Sequence, residues 1–258
     1  MTDKSGQVAD SVEIEGGETH ALTPVSFALY LDNRANSPEL PKRERTRNRF
    51  KAGAARILET RGYHGLKMSV VCQELGLSQG SIYNYFSDRK ELALYVMSEF
   101  ADHQFGVLLN VHPRGDAYAR VYQVNLAYVR FISHNTGLFR CLRQLCDELP
   151  EFRELWHRKN YGWCVLVARD LQNRTGSKDM AAAMALARAL GAMIDEVLHE
   201  IYVRRNPELA SLAESPETLA ETLSAYWYRM AFAANPEISV LREDHPILEF
   251  QLAEEDKS

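Results

Sequence analysis

The chain has 258 residues, of which 46% are hydrophobic, 25% charged and 10% aromatic, a length between one and two domains at ~150 residues per domain. This composition excludes collagen-like, low-complexity and wholly disordered architectures and predicts a folded chain with a sizeable core. The net charge of -5 argues at first against a polyanionic partner, but it averages unlike segments: residues 1–41 hold 2 basic and 7 acidic residues, residues 42–97 hold 11 and 5, and residues 98–258 hold 17 and 23. A basic island of +6 therefore lies between two acidic segments.

Residues 1–23 are acidic, contain Gly, Ser and Thr and are nearly free of aromatics, a composition that predicts disorder. The apolar patch PVSFALYLDN at 24–33 precedes Pro38 and Pro41 and reads equally as a strand or turn packed on the body or as an arm toward a partner subunit. From Lys42 the period becomes helical, with Phe50, Ala54, Ile57 and Leu58 on one stripe and Gly62 as the stop. A short helix is expected over Met68–Leu75, ended by Gly76, and another from Ser78 as N-cap through Phe86. Ser87 or Asp88 then caps a long helix to about Val111. Further helices are predicted over Asp116–Ser133, Leu138–Leu149, Glu151 to about Asn173, Asp179–Arg205 and Pro216–Ala234, with Pro216 suited to a first turn. No alternating strand pattern appears, so the expected fold class is all-α.

Two short helices joined by Gly76-Leu77-Ser78 have the spacing of a helix-turn-helix, and Gly76 supplies the positive φ that the corner needs. Val71, Cys72, Leu75, Leu77, Ile82 and Phe86 give the pair an apolar inner face, leaving Gln79, Ser81, Asn84 and Tyr85 outside. Gln and Asn pair with adenine edges, Ser with several bases, and Tyr hydroxyls with phosphate oxygens. Lys42, Arg43, Arg45, Arg47, Arg49 and Lys51 precede or open the first helix, and Arg89 and Lys90 open the fourth. Cations on both sides of a reading helix suit phosphate neutralisation, so the island points to double-stranded DNA.

The stretch RILETRGYHGLKMSVVCQELGLSQGSIYNYFSDRKEL, residues 56–92, resembles the N-terminal domain of TetR-type transcriptional regulators. The family's pattern falls without gaps on Gly62, Tyr63, Val71 to Ser78, Gly80 to Tyr83, Tyr85, Phe86, Arg89, Lys90 and Leu92. The resemblance implies a homodimer in which each subunit places Gln79 to Tyr85 in a major groove. It implies that Gln79, Gly80, Ser81, Asn84 and Tyr85 approach bases or nearby phosphates, that Tyr83 contacts the backbone, and that Arg89 holds a phosphate at a helix N-terminus. Arg89 stands where the family usually has Lys, Lys90 where it has Glu, and Lys67 where it has a Thr cap.

The domains implied are an acidic, largely disordered extension (1–41), a three-helix helix-turn-helix DNA-binding domain (42–97), a larger helical ligand-binding and dimerisation domain (98–235) and a tail (236–258). The small residues Ala181, Ala182, Ala183, Ala185, Ala187, Ala189, Gly191 and Ala192, with Leu219, Leu223, Tyr226, Trp227 and Met230 on the last helix, suit either a four-helix dimer interface or packing inside the monomer. Candidate walls of an effector pocket are Trp156, His157, Tyr161 and Trp163, faced by Tyr122, Tyr128, Phe131, Phe105 and His103, with Met184, Met193 and Asp195 contributing from the Ala-rich helix. Their character implies a small, partly apolar effector.

No metal or cofactor is expected, because Cys141 and Cys146 lie five apart on one helix and Asp195 and His199 form only a lone i,i+4 pair. No G-x-S-x-G, Walker A, G-x-G-x-x-G or H-E-x-x-H pattern supports an enzyme, and the basic island argues against a purely structural oligomerisation module. Four cysteines without a CxxC pair, no apolar run near ~18 residues and no signal-like N-terminus predict a reduced, cytoplasmic, non-membrane location. The functional expectation is a dimeric DNA-binding regulator, a repressor released by its effector, with a ligand-dependent activator as the alternative.

Overall fold

The computed structural model describes residues 26–234, 236–243 and 245; the acidic residues 1–25 and the last part of the tail lie outside them. Every described regular element is helical, and the chain divides into two compact units. The first comprises the chain through Val107 together with Gly137–Phe152.

In the first unit, α1 (Phe27–Asn36) buries Phe27, Leu31 and Ala35, so residues 26–41 are not the disordered extension expected of them. An apolar residue every fourth position makes a helical stripe, and Phe27 packs edge-on against Phe100, with ring centroids 5.4 Å apart. α2 (Lys42–Gly65) carries a kink at Gly62, whose φ of 70° admits one more turn after the break. Arg56 of α2 ties three helices together, reaching Asp32 of α1 at 2.8 Å and, at 2.7 Å, Glu74 of α3 (Met68–Leu75). Gly76 closes α3 in the left-handed conformation, φ 63° and ψ 31°, with Leu77 N–H donating to the Cys72 carbonyl at 2.9 Å and Gly76 N–H to Gln73. This double closure is the helix-ending motif that glycine favours.

α4 (Gln79–Ile82) is shorter than expected. The side chain of Ser78 caps nothing; its carbonyl instead accepts the Ser81 hydroxyl at 2.6 Å, and the chain turns through Tyr83–Tyr85. α5 (Arg89–Leu109) begins where expected. Asp88 accepts the Glu91 N–H at 2.8 Å, while the Glu91 carboxylate reaches back to the Ser87 N–H and hydroxyl at 2.6 and 2.7 Å. Those two hydrogen bonds hold Glu91 below the usual carboxylate range.

α7 (Thr136–Glu148) belongs to this same unit, although the sequence placed it in the larger C-terminal domain. The Glu59 carboxylate of α2 accepts the Gly137 and Leu138 N–H groups at 2.6 and 2.8 Å, satisfying two donors that a helix start leaves open. A Cβ on Gly137 would stand 1.8 Å from the Glu59 carbonyl oxygen, so only glycine permits the approach. One turn on, the Cys141 thiol donates to the Leu58 carbonyl at 3.3 Å, and Gln144 accepts the Tyr63 N–H.

The second unit comprises Leu108–Thr136 and Arg153 onward, with α6 (Ala117–Ser133), most of α8 (Pro150–Thr175), α9 (Met180–Leu198) and α10 (Pro216–Phe232). Asp116, Asp179 and Ser215 cap α6, α9 and α10 with side-chain oxygens. α10 lies on α6 through Asn125 to Ser224 (2.9 Å) and Arg130 to Glu217 (2.6 Å). Cys164, Ala168, Leu171, Ala183, Ala187, Leu190 and Ala231 form a core among α8, α9 and α10.

The Ala-rich helix was expected to run unbroken to Arg205. Instead α9 widens after Leu198 into a π-helical segment, His199–Arg204. Arg205 then takes a left-handed φ of 53°, Asn206 N–H returns to the Glu200 carbonyl at 3.0 Å, and Pro207 has no N–H with which to continue. Part of the expected tail also packs: Leu241 is buried with Tyr118 and Ala225.

Replacing Gly137 by Ala should undock the start of α7 and cost about 2–3 kcal/mol by overpacking. Burial pushes the Cys141 thiol up to about 11, and the thiolate is the reactive form. In the native chain Cys141 should therefore resist iodoacetamide at pH 8 and become alkylated in Gly137→Ala. Equal labelling in both chains would contradict the docking.

Candidate nucleic-acid interface

The segment from Ser78 to Phe86 is anchored from within and open outside. Ile82 and Phe86 are buried, and the Tyr85 ring packs on Phe50 of α2 with centroids 5.4 Å apart. Gln79, Gly80, Tyr83 and Asn84 are exposed, Tyr83 at 58%. Nothing lies within 4 Å of where a Gly80 Cβ would sit. Ser81 and Tyr85 are half-buried, each already engaged by the fold, Ser81 by the Ser78 carbonyl and Tyr85 by Phe50.

The cations flanking this segment differ in how they are held. Arg49 is exposed, as are Lys42, Arg43, Arg61 and Lys67. Arg47 is half-buried, with its guanidinium 4.6 Å from the Tyr95 ring centroid and 5.5 Å from that of Phe86. Arg89 is exposed, and its guanidinium stands 4.8 Å from the Tyr63 ring centroid, a contact that orients the charge without neutralising it. Lys90 is occupied differently: it pairs with Glu151 at 2.6 Å, and that carboxylate holds the ammonium above its ordinary value. Lys51 pairs with Glu99 at 2.5 Å and Arg56 with Asp32 and Glu74, so the charge of the island is partly spent inside the fold.

Two supporting residues were not identified from sequence. Tyr63 and Tyr95 are the rings beneath Arg89 and Arg47, and Tyr63 was read only as part of a helix-closing Gly-aromatic pair. Lys67, noted for replacing a Thr cap, extends at the start of α3 without capping it.

The residues proposed for an effector pocket lie on several helices. On α8, His157 and Tyr161 are exposed, Tyr161 at 55%, while Trp156 and Trp163 are half-buried. On α6, the Tyr128 hydroxyl donates to Asp195 of α9 at 2.7 Å. Asp195 also raises, and Arg188 lowers, the thiol of Cys164, which burial shifts upward most; α6, α8 and α9 thus converge there. Tyr122 turns toward the acidic side of α10: burial, then Glu217 and Glu221, raises its hydroxyl. Met193 is half-buried on α9, Met184 packs on the α8–α9–α10 core, and Phe131 is fully buried. His103 is buried in the first unit, stacked on Tyr30 of α1 at 4.1 Å. Among the described residues no group of three or more His, Cys, Asp or Glu side chains is arranged to hold a metal. No described helix is long and apolar enough to cross a membrane.

Residues 52–96 match the family described as bacterial regulatory proteins, tetR family. The HTH-type transcriptional regulator EthR of Mycolicibacterium smegmatis is 22% identical over 191 residues, covering 72% of this chain and 85% of that protein. Among solved structures, a TetR-like transcriptional regulator from Rhodococcus sp. RHA1 superposes with a TM-score of 0.58 at 16% identity, over 74% of this chain and 97% of that one. The fatty acid degradation regulator FadR from Bacillus halodurans gives 0.56 at 15% identity, over 74% and 96%.

If the geometry of the two cations governs their access to DNA, Arg89→Gln should reduce the slope of log affinity against log salt by about one ion. Lys90→Gln, whose charge Glu151 already holds, should leave the slope nearly unchanged. A larger loss of slope for Lys90→Gln than for Arg89→Gln in fluorescence-anisotropy titrations would reverse this assignment.

Proposed function

The chain is a member of the TetR family of bacterial transcriptional regulators and not an enzyme, and from that premise we propose that it is a cytoplasmic homodimeric repressor released from its operator by a small, partly apolar effector. The observation that carries the reading is the open face of residues 78–86, with Gln79, Gly80, Tyr83 and Asn84 outward over buried Ile82 and Phe86 and cations on either side. In this reading Gln79 and Asn84 contact base edges, Tyr83 and Arg89 the sugar-phosphate backbone, and Arg47 and Arg49 the phosphates across the groove. Ser81 and Tyr85 set the height of the segment and lie beside the bases. Lys90 contributes to the field and not to a phosphate contact.

Two recognition segments must enter major grooves a whole number of helical turns apart, about 34 Å for one turn, which requires a second subunit. Ala181, Ala182, Ala185, Ala189, Gly191 and Ala192 of α9 are exposed, whereas Ala183 and Ala187 are buried in the core. This division supports both earlier readings of the small residues, one face packing inward and the other meeting a partner. Met230 of α10, 43% exposed, extends the partner face. The effector site lies in the second unit, where Trp156, Trp163, Tyr128, Met193 and Asp195 supply apolar walls and a polar pair. Effector binding favours a conformation in which the two segments no longer match successive grooves.

A gel shift with the DNA upstream of the protein's own gene should show salt-sensitive, sequence-selective binding. Gln79→Ala or Asn84→Ala should cost about 1–3 kcal/mol on the preferred site and relax selectivity there, with little change on random DNA. Absence of selective binding would end the reading. Separately, Ala189→Glu, which places charge on the small-residue face, should shift the chain from dimer to monomer in sedimentation velocity; an unchanged dimer would remove α9 from the interface.

A further inference from the structure

Gly137, Cys141, Gln144 and Glu148 follow one another at intervals of 4, 3 and 4 residues, so they share one face of α7. Glu151 comes three positions later, in the first turn of α8, and still within the first unit. Each of the five meets the end of α2 or the start of α5. The Gly137 N–H donates to Glu59, the Cys141 thiol to the Leu58 carbonyl, and Gln144 accepts the Tyr63 N–H. Glu148 stands 3.1 Å from His64, and Glu151 stands 2.6 Å from Lys90. Contacts in this register deliver the Glu151 carboxylate to the start of α5 as a consequence of α7 docking on α2.

What it meets there is one of two adjacent cations. The Arg89 guanidinium is exposed, 4.8 Å from the Tyr63 ring centroid. The Lys90 ammonium lies within the field of the same tyrosine and of Asp88, but its hydrogen bond to Glu151 is the stronger influence and raises it above its ordinary value. The same hydrogen bond holds the Glu151 carboxyl below the usual carboxylate range. The two side chains remain 43% and 57% exposed, and an exposed pair of this kind is weak. A competing anion is therefore able to contest it.

We propose that Glu151 is an affinity-limiting residue, whose carboxylate holds Lys90 back from the DNA phosphate at the start of α5 and leaves Arg89 to make that contact alone. The inference rests on the DNA-binding reading for its consequence, but not for the ion pair itself. A phosphate arriving at Arg89 meets a carboxylate where a second cation would otherwise stand. Without that carboxylate, Lys90 joins the contact and one more counterion leaves the DNA on binding. Restraint of a phosphate contact lowers affinity for all sequences alike and leaves discrimination to the base contacts.

Three full-length variants test it: Glu151→Gln, Lys90→Gln and the two together. Glu151→Gln should bind random duplex DNA about 3-fold more tightly at ~100 mM salt, with the slope of log affinity against log salt steeper by about one ion. In the Lys90→Gln background the same replacement should leave that slope unaltered. Steepening there too would mean simple repulsion by Glu151, and no gain from Glu151→Gln alone would mean no restraint; either overturns the proposal. Acetylation of the DNA-free chain with limiting acetic anhydride gives a readout independent of DNA. Only the neutral amine is acylated, so the ratio of Lys90 to Lys67 labelling should rise about 3-fold in Glu151→Gln, and an unchanged ratio overturns the restraint. If the ratio rises but no variant binds DNA, the ion pair stands, while the regulator reading fails and the affinity role fails with it.

Discussion

The Glu59 carboxylate on the backbone of Gly137 and Leu138 joins α7 to α2. A carboxylate at a helix start satisfies open N–H groups and meets the positive end of the helix dipole. Here donor and acceptor are 78 and 79 residues apart in sequence, and the absence of a side chain on Gly137 allows the two backbones to touch. With the Cys141 and Gln144 contacts, this makes α7 part of the body that presents residues 78–86. α7 is thereby held to α2, on whose Phe50 the Tyr85 ring rests.

The same body resolves the contradiction of an acidic protein that binds a polyanion. Its cations fall into three groups by geometry: those neutralised by carboxylates, those lying over aromatic rings, and those extended into solvent. A guanidinium over Tyr63 or Tyr95 loses rotamer freedom without losing charge, so it meets a phosphate with less entropy left to lose. Net charge says little about binding when a fold sorts its charges in this way.

Much of this arrangement was legible in the sequence because it is local. The helix-ending role of Gly76, the helix starts at Asp116 and Asp179, Pro216 in a first turn and the outward placement of Gln79 and Asn84 all follow from contacts within a few residues, whereas Ser81 and Tyr85, expected outside with them, are half-buried. What escaped the reading depends on distant partners. Nothing near Lys90 announces Glu151, nothing near Glu59 announces Gly137, and nothing near His103 announces Tyr30. The helix at Phe27–Asn36 was hidden because two prolines nearby suggested a break, while its stripe of Phe27, Leu31 and Ala35 gains meaning only against α2 and α5. α4 ends early in a turn where the Asn84 and Tyr85 N–H groups reach the Ser81 and Ile82 carbonyls three residues back, a choice that periodicity does not register. The proposed effector site was least legible, since aromatic residues at helical spacing look alike whether they line a pocket, fill a core or face solvent.

The central claim is that residues 78–86 from two subunits read duplex DNA. Hydroxyl-radical footprinting on the selected upstream sequence tests it most directly. The account predicts two protected tracts related by a two-fold axis, centred a whole number of helical turns apart at about 10.5 base pairs per turn, and loss of both tracts with Gln79 and Asn84 replaced together. A single tract, or protection that survives that replacement, would contradict it.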